Sequence, residues 1–300
     1  MQVNPPPALI DPELIEQIQQ FSLRIAQAGK GGRLAEQKTS ARGQGLEFAD
    51  YKPYVAGDEL RTIDWHVYRR LGKLFVRVFE EQQNLPVYML LDHSSSMFVE
   101  SPSRIHAARQ AALALGAIAL QQQDAVRLIP FSDRLHNQHK NLSGKHQLFN
   151  LANQLNQSQP ENHSDLAASI TEFANYPVRQ GLVVLLSDFF NSGGIEPVID
   201  AMSQLRHSLL IIQITQPWDA DPTLLNLTGD IRFQDAESSD SLDLQLTPAL
   251  IKRYQQAYLR FNHQINQFAD SRGAGLLQLN ASEQVLPQLS KLFGNPVVAS

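Results

Sequence analysis

One apolar run of the sequence passes directly into a polar loop, in Val87-Tyr88-Met89-Leu90-Leu91-Asp92-His93-Ser94-Ser95-Ser96-Met97. The unbroken apolar run predicts a strand that is buried on both faces, as strands of parallel sheets are. In open α/β sheets, ligands bind beyond the carboxyl ends of the strands. The position of Asp92, Ser94 and Ser96 directly after this strand therefore makes them candidate site residues.

Further apolar runs follow and alternate with helical stretches, which is typical of βαβ units around a parallel sheet. The later strands are expected at 125–131, 182–186, 209–214 and 275–279. We therefore predict a doubly wound α/β domain with a mainly parallel sheet over residues 85–295. Its sheet should bury the central aliphatic residues Leu90, Leu91, Leu185, Leu186, Ile211 and Ile212.

Two regions do not follow this alternation. Residues 1–84 are expected to form a small accessory region with a helix near 11–28 and a strand at 74–79. Between this helix and this strand, the basic and Gly-rich stretch 29–45 is either a solvated linker or a loop that binds phosphate or nucleic acid. Two short alternating runs also predict a surface hairpin insertion at about 218–246.

The composition argues against several classes of function. The 300 residues include 25 Lys plus Arg against 30 Asp plus Glu, so no basic field attracts nucleic acid. With no cysteine, disulfides and thiolate metal sites are excluded, which fits a cytoplasmic protein. Residues 1–10 lack the basic residue and the apolar core that are typical of a signal peptide, so we expect no export. The apolar run 111–120 is about half of the ~20 residues that a membrane span needs. We expect no membrane span.

A second buried strand, 182–186, ends in the same way at Ser187-Asp188, and Ser164 precedes an expected helix that could bring another hydroxyl to this edge. Hydroxyl and carboxylate oxygens suit Mg²⁺, whereas zinc and copper prefer softer ligands. The sequence predicts a site for Mg²⁺ or Mn²⁺ made of Asp92, Ser94, Ser96, Ser164 and Asp188. The alternative is that Asp92 and Ser94 only cap the following backbone.

These five residues resemble the metal-ion-dependent adhesion site of von Willebrand factor type A (vWA) domains. The sequence upstream resembles the signature of the bacterial domain-of-unknown-function family numbered 58, which carries such a domain. The residues of that signature are Gly45-Leu46-Glu47-Phe48, Tyr51, Pro53-Tyr54, Gly57-Asp58, Arg61 and Ile63-Asp64-Trp65. Together the two matches are more specific than either alone, and they run from about Phe21 to Leu292.

The resemblance implies a role for each site residue. Ser94 and Ser96 would bind the ion directly, and Asp92 and Asp188 would act close to it or through water. Ser164 stands where type A domains usually have Thr; it keeps the hydroxyl but lacks the stiff χ1 of a β-branched residue. A site of this kind binds a partner protein that supplies an acidic side chain. The family resemblance further implies work with a MoxR-type AAA+ ATPase in the assembly or maturation of other complexes.

The main alternative is a Mg²⁺-dependent phosphoryl-transfer or hydrolytic enzyme that uses Asp92. No second Asp stands at the position of Ser94, as a haloacid-dehalogenase-like site would require, and no Gly-x-Ser-x-Gly motif occurs. A P-loop needs a Gly-Lys pair followed by Ser or Thr. It is absent, because the lysines that follow a glycine, Lys30, Lys73 and Lys145, are not followed by either residue. We therefore expect a binding protein without catalytic residues.

Two further clusters are less specific. His136-x-x-His139 suggests zinc, but no Cys accompanies the pair and the local sequence is rich in Asn and Gln, so a solvated loop is the simpler interpretation. The segment Arg61–Arg70, with Asp64 and Trp65, is either a partner surface or an aromatic side chain anchored by ion pairs.

Overall fold

The computed structural model describes residues 12–28, 46–81, 84–99, 101–136, 140–157, 165–225, 230–234 and 241–293. The strands in these ranges are β1 (Leu46–Pro53), β2 (Phe75–Glu81), β3 (Pro86–Asp92), β4 (Ala125–Phe131), β5 (Leu142–Ser143), β6 (Leu182–Ser187), β7 (Ser208–Thr215), β8 (Asp230–Gln234), β9 (Ser241–Gln245) and β10 (Gly275–Asn280). The helices are α1 (Pro12–Ala28), α2 (Trp65–Leu71), α3 (Ser96–Val99), α4 (Arg104–Gln121), α5 (Leu148–Gln157), α6 (Leu166–Ala174), α7 (Glu196–Ser203), α8 (Pro217–Ala220), α9 (Pro248–Arg272) and α10 (Val285–Ser290).

The main sheet has the strand order β10-β7-β6-β3-β4-β5. All neighbours are parallel except β5, a short edge strand that runs antiparallel to β4. The predicted α/β class with a mainly parallel sheet is confirmed. The six aliphatic residues expected in one sheet, Leu90, Leu91, Leu185, Leu186, Ile211 and Ile212, are all fully buried in it.

Helices cover both faces of this sheet, which makes the fold doubly wound. On one face, α1, α4, α5 and α10 pack with the side chains of Met89, Leu91, Val184 and Ile212. On the other face, α6, α7 and α9 pack with those of Leu90, Leu185 and Ile211. This alternation follows from the two-residue period of a strand, because adjacent residues point to opposite faces.

The chain divides into two compact units. Residues 1–35 and 85–300 form one compact unit, and residues 36–84 form another. Helix α1 belongs to the large unit because Ile15, Ile18 and Phe21 are buried in its hydrophobic core. Periodicity predicted this helix, but it carries no information on which surface the apolar face covers.

The small unit is built on an antiparallel pair of strands. Strands β1 and β2 pair with Tyr51 opposite Arg77, and the register shifts between Phe48 and Asp50. The sequence analysis found only the second of these strands, because residues 46–53 lack a regular alternation. In the large unit, β8 and β9 form an antiparallel pair with Ile231 opposite Leu244, within the range where the surface hairpin was expected.

Candidate functional site

The polar residues that follow β3 and β6 lie next to each other because these strands are neighbours, with Leu91 paired to Leu186. The sheet continues from here towards β4 on one side and towards β7 on the other. This edge is therefore the switch point of the sheet, where open α/β folds bind their ligands.

Hydroxyl groups connect the two strand ends. The Oγ atom of Ser96, the first residue of α3, lies 3.0 Å from Oγ of Ser94. The same Ser96 hydroxyl donates to Oδ2 of Asp188 at 3.2 Å. Ser94 is buried, whereas Ser96 is half-buried. The cluster thus joins residues 92 positions apart in the sequence.

Asp92 holds the loop in place with both carboxylate oxygens. Its Oδ1 accepts a hydrogen bond from the backbone N–H of Ser94 at 2.8 Å. Its Oδ2 accepts one from the hydroxyl of Ser187 at 2.6 Å. The residue is only 2% exposed. Asp92 therefore positions the two serines after β3 and ties this loop to the end of β6.

The turn after β6 is strained and points two backbone donors at the strand end. Phe189 has φ of 66°, a left-handed conformation that bulky residues rarely adopt. Its N–H donates to Oγ of Ser187 at 2.9 Å, and the N–H of Phe190 donates to Oδ1 of Asp188 at 3.0 Å. Such outliers persist where the surrounding structure fixes them, often at functional sites.

The two carboxylates are electrostatically unfavourable neighbours. Burial raises the pKa of Asp92, and hydrogen bonds from Ser187 and Ser94 oppose this rise. Burial and, after it, the charge of Asp92 raise the pKa of Asp188 to about 7, while Arg104 acts in the opposite direction. A cation at this position would favour the ionised form of both acids.

The charge of Arg104 is balanced mainly by Asp219 and not by Asp188. Its Nε lies 4.0 Å from Oδ2 of Asp188, but its Nη atoms donate to both carboxylate oxygens of Asp219 at 2.6 and 2.7 Å. Both residues of this bidentate pair are buried. Because Asp219 neutralises the guanidinium, the Asp92–Asp188 pair keeps an excess of negative charge.

The donor set fits a hard divalent cation. Ser94, Ser96, Asp92 and Asp188 offer only oxygen atoms, which Mg²⁺ prefers. Within the described ranges, no group of three or more His, Cys, Asp or Glu side chains could hold a metal ion. Any ion at this edge would thus depend on the serine hydroxyls. Ser164, the fifth predicted ligand, lies outside the described residues.

Three residues that shape this edge were not predicted from the sequence. Ser187 stands beside the predicted Asp188, and its place at the end of an apolar run could have indicated its role. Arg104 and Phe190 gave no such signal, because their contacts join elements that are remote in the sequence.

The structure also describes parts of the two less specific clusters, the His136-x-x-His139 motif and the segment Arg61–Arg70. Nε2 of His136 lies 2.6 Å from Oγ of Ser132, and His139 lies outside the described residues. Trp65 is 58% exposed and contacts Tyr68 edge to face. Asp64 is buried and caps α2 by accepting hydrogen bonds from two backbone N–H groups. For this segment the structure favours an exposed surface over a packed aromatic side chain.

The fold and site define an α/β protein with an oxygen-lined cluster at the switch point of its sheet. Residues 50–264, most of the chain, match the family described as "Protein of unknown function DUF58". The chain belongs to the DUF58 family. It is 24% identical to the uncharacterized protein Rv1480 of Mycobacterium tuberculosis over 310 residues, which covers 98% of this chain and 94% of that protein. The same values hold for the uncharacterized protein Mb1516 of Mycobacterium bovis.

Solved structures show more distant similarity. The conserved hypothetical protein BatB from Bacteroides thetaiotaomicron is 13% identical, with a TM-score of 0.40, and covers 70% of this chain and 100% of its own. An aerotolerance-related membrane protein from Bacteroides fragilis is 14% identical, with a TM-score of 0.41, and covers 70% of this chain and 98% of its own. In the part of this chain that the structure describes, no helix has the length and apolar character needed to cross a membrane.

Proposed function

We propose that this protein is a metal-dependent protein-binding module of the vWA type. Asp92, Ser94, Ser96 and Asp188 would hold Mg²⁺ or Mn²⁺, and Ser164 would add a further hydroxyl. The observation that carries the proposal is the convergence of the two strand ends, where the Ser96 hydroxyl lies 3.0 Å from Ser94 Oγ and 3.2 Å from Asp188 Oδ2.

The charge balance of the ligands favours binding of an acidic partner. Neutral hydroxyls leave a divalent cation electrophilic, so the bound ion would supply a position that a carboxylate from another protein can fill. Asp92 keeps Ser94 in place through the backbone bond at 2.8 Å. Asp188 orients Ser96 from the other side of the cluster. The residues of this chain thus arrange the site and leave the last ligand to the partner.

The geometry of Asp92 disfavours the enzymatic alternative. A phosphoryl-transfer nucleophile must reach its substrate with a free carboxylate oxygen. Both oxygens of Asp92 accept hydrogen bonds, and the residue is 2% exposed. This arrangement suits a positioning residue better than a nucleophile.

The proposed partner complex contains a MoxR-type AAA+ ATPase and serves the assembly or maturation of other complexes. Support for this part comes from the family resemblance and from a sequence that contains no P-loop of its own. Nucleotide hydrolysis would then be the task of the partner, and this chain would recognise the client or the ATPase through the metal site.

The proposal is tested by affinity purification of the tagged protein from its own cells, with Mg²⁺ or with a chelator. We expect specific partners, an AAA+ ATPase among them, to be retained with Mg²⁺ and lost with the chelator or with Ser94→Ala. Ser95→Ala, in the same loop, is the matched control and should retain them. Equal retention in every sample would contradict the proposal. Turnover of a phosphate ester or nucleotide that Asp92→Ala abolishes would favour the enzyme.

A further inference from the structure

A row of aromatic rings runs along α9 and ends beside the candidate metal site. The ring of Phe190 stacks on Phe261, with centroids 5.4 Å apart and an angle of 23°. Phe261 stacks on Tyr258 at 6.0 Å, and Tyr258 on Tyr254 at 6.4 Å. The spacing of residues 254, 258 and 261 places them on one face of the helix. The two ends of this aromatic row are accessible, since Phe190 is 39% and Tyr254 41% exposed.

The aromatic row is continuous with the metal site through Arg104. Phe190 follows Asp188 by two residues, and Cζ of Arg104 lies 5.7 Å from the centroid of the Phe190 ring. Nε of the same arginine lies 4.0 Å from the Asp188 carboxylate. A ligand group at the metal site would therefore have the exposed ring of Phe190 as an immediate neighbour.

Near its other end, at Tyr258, the aromatic row borders a cleft of about 450 Å³ at the carboxyl ends of β7 and β10. Tyr258 contributes to both. Five of the ten residues that line the cleft carry side-chain amides: Gln216, Gln255, Asn262, Gln278 and Asn280. The amides of Gln216 and Asn280 make hydrogen bonds within the chain through both their nitrogen and their oxygen atoms. In Gln255, Nε2 donates to Oδ1 of Asp221 at 3.4 Å, and Oε1 offers an acceptor for the N–H groups of a peptide main chain.

The distance between these features corresponds to a short extended peptide. The metal site lies between β3 and β6, and the cleft between β7 and β10, two strand positions further along the sheet. Two strand spacings are about 10 Å, which about three extended residues span. In an extended chain, residues two positions apart point to the same side. An acidic residue and the second residue after it would both face this surface.

We infer that the partner presents an extended acidic peptide to this edge of the sheet. Its carboxylate occupies the metal site, an aromatic side chain two positions later packs on Phe190 and Phe261, and its main chain continues into the amide-lined cleft. This inference rests on the proposed function, because the carboxylate needs the ion. It adds a sequence preference that the ion alone does not supply.

The test is a nuclear magnetic resonance titration of the ¹⁵N-labelled protein, saturated with Mg²⁺, with blocked pentapeptides. One peptide has aspartate first, phenylalanine third and glycine elsewhere; a second has alanine in place of phenylalanine; a third has asparagine in place of aspartate. We expect the phenylalanine peptide to bind about threefold to tenfold more tightly than the alanine peptide, as an aromatic contact provides. The ratio of the two affinities is the readout.

Protein variants assign this preference to the aromatic row. In Phe190→Ala the ratio should fall to about one. Phe149→Ala removes a more accessible phenylalanine on α5, 56% exposed, and should keep the ratio. Gln255→Ala, in the cleft, should weaken both aspartate peptides by about threefold to tenfold, whereas the exposed neighbour Gln256→Ala should not. A ratio that survives in Phe190→Ala, or an unchanged affinity in Gln255→Ala, would overturn the inference.

The asparagine peptide and a chelator separate this inference from the proposed function. If aspartate and asparagine peptides bind equally with and without Mg²⁺, or if no peptide binds at millimolar concentration, both the proposed function and the inference fail. If the aspartate peptides bind only with Mg²⁺ but show no preference for phenylalanine over alanine, the inference alone fails.

Discussion

Asp219 and the Asp92–Asp188 pair are buried acids at the same edge of the sheet, and they differ in how far the chain balances their charge. Asp219 accepts both Nη donors of Arg104 at 2.6 and 2.7 Å, so its charge is balanced within the chain. Asp92 and Asp188 accept hydroxyl and backbone donors, and the side chain of Arg104 comes only within 4.0 Å of Asp188. Burial of an acid therefore does not by itself mark a site. The excess negative charge beside serine hydroxyls distinguishes the second group.

We expect the greatest loss of stability when the buried pair of Arg104 and Asp219 is broken. Asp219→Ala would leave the guanidinium of Arg104 buried without its carboxylate, which costs about 3–5 kcal/mol in the free energy of unfolding. Urea denaturation followed by circular dichroism measures this loss. A change below about 1 kcal/mol, as small as that of an exposed ion pair, would mean that Arg104 is neutralised by another group.

The stability of the protein should increase when the metal site binds its ion, and it should not fall when the charge of Asp188 alone is removed. At Mg²⁺ concentrations of about one hundred times Kd, the free energy of unfolding should rise by about 2.7 kcal/mol. The thermal midpoint should then rise by about 5–10 °C. In Asp188→Asn, which keeps the shape of the side chain, this rise should vanish, while the midpoint in chelator stays equal to or above that of the wild type. A clear loss of stability in chelator would indicate a structural acid like Asp219.

Asp124, an acid outside both groups, provides a pH-dependent comparison. Burial raises its pKa to about 6, although the backbone N–H of Leu85 donates to it at 2.8 Å. The folded protein binds this proton more tightly than the unfolded chain, so the contribution of Asp124 to stability is present below pH ~4 and is lost as the pH rises through ~6. Asp124→Asn should be more stable than the wild type by about 1–2 kcal/mol at pH 7.5 and equal to it at pH 4, with solvent screening taken into account. Thermal unfolding at both pH values measures the difference, and an equal difference at both would contradict this explanation.

The smallest effect is expected where the same bidentate geometry is exposed. Arg232 donates to both oxygens of Asp243 at 2.6 and 2.9 Å on the β8–β9 pair. Water screens this contact and solvates each partner when the other is removed. Asp243→Ala should therefore leave the urea midpoint unchanged within error. A loss similar to that of Asp219→Ala would show that burial does not determine the cost.

The fold and the candidate site were predictable to different extents. The strands β3, β6 and β7 were recognisable because their aliphatic runs reflect burial on both faces, and Asp92 and Asp188 because they end such runs. The Arg104–Asp219 pair was not, because its partners are 115 residues apart and neither has a local pattern. The packing of α1 on the large unit and the aromatic row from Phe190 to Tyr254 depend on tertiary contacts in the same way.

The proposed function depends on an ion bound at this edge of the sheet, and calorimetric titration of Mg²⁺ into chelator-treated protein measures that binding. We expect a single site in the wild type and in the control Ser95→Ala, and no binding in Ser94→Ala or Asp188→Asn at wild-type secondary structure content. Equal Mg²⁺ binding in Ser94→Ala, Asp188→Asn and the wild type, or no binding by the wild type at millimolar Mg²⁺, would contradict the account.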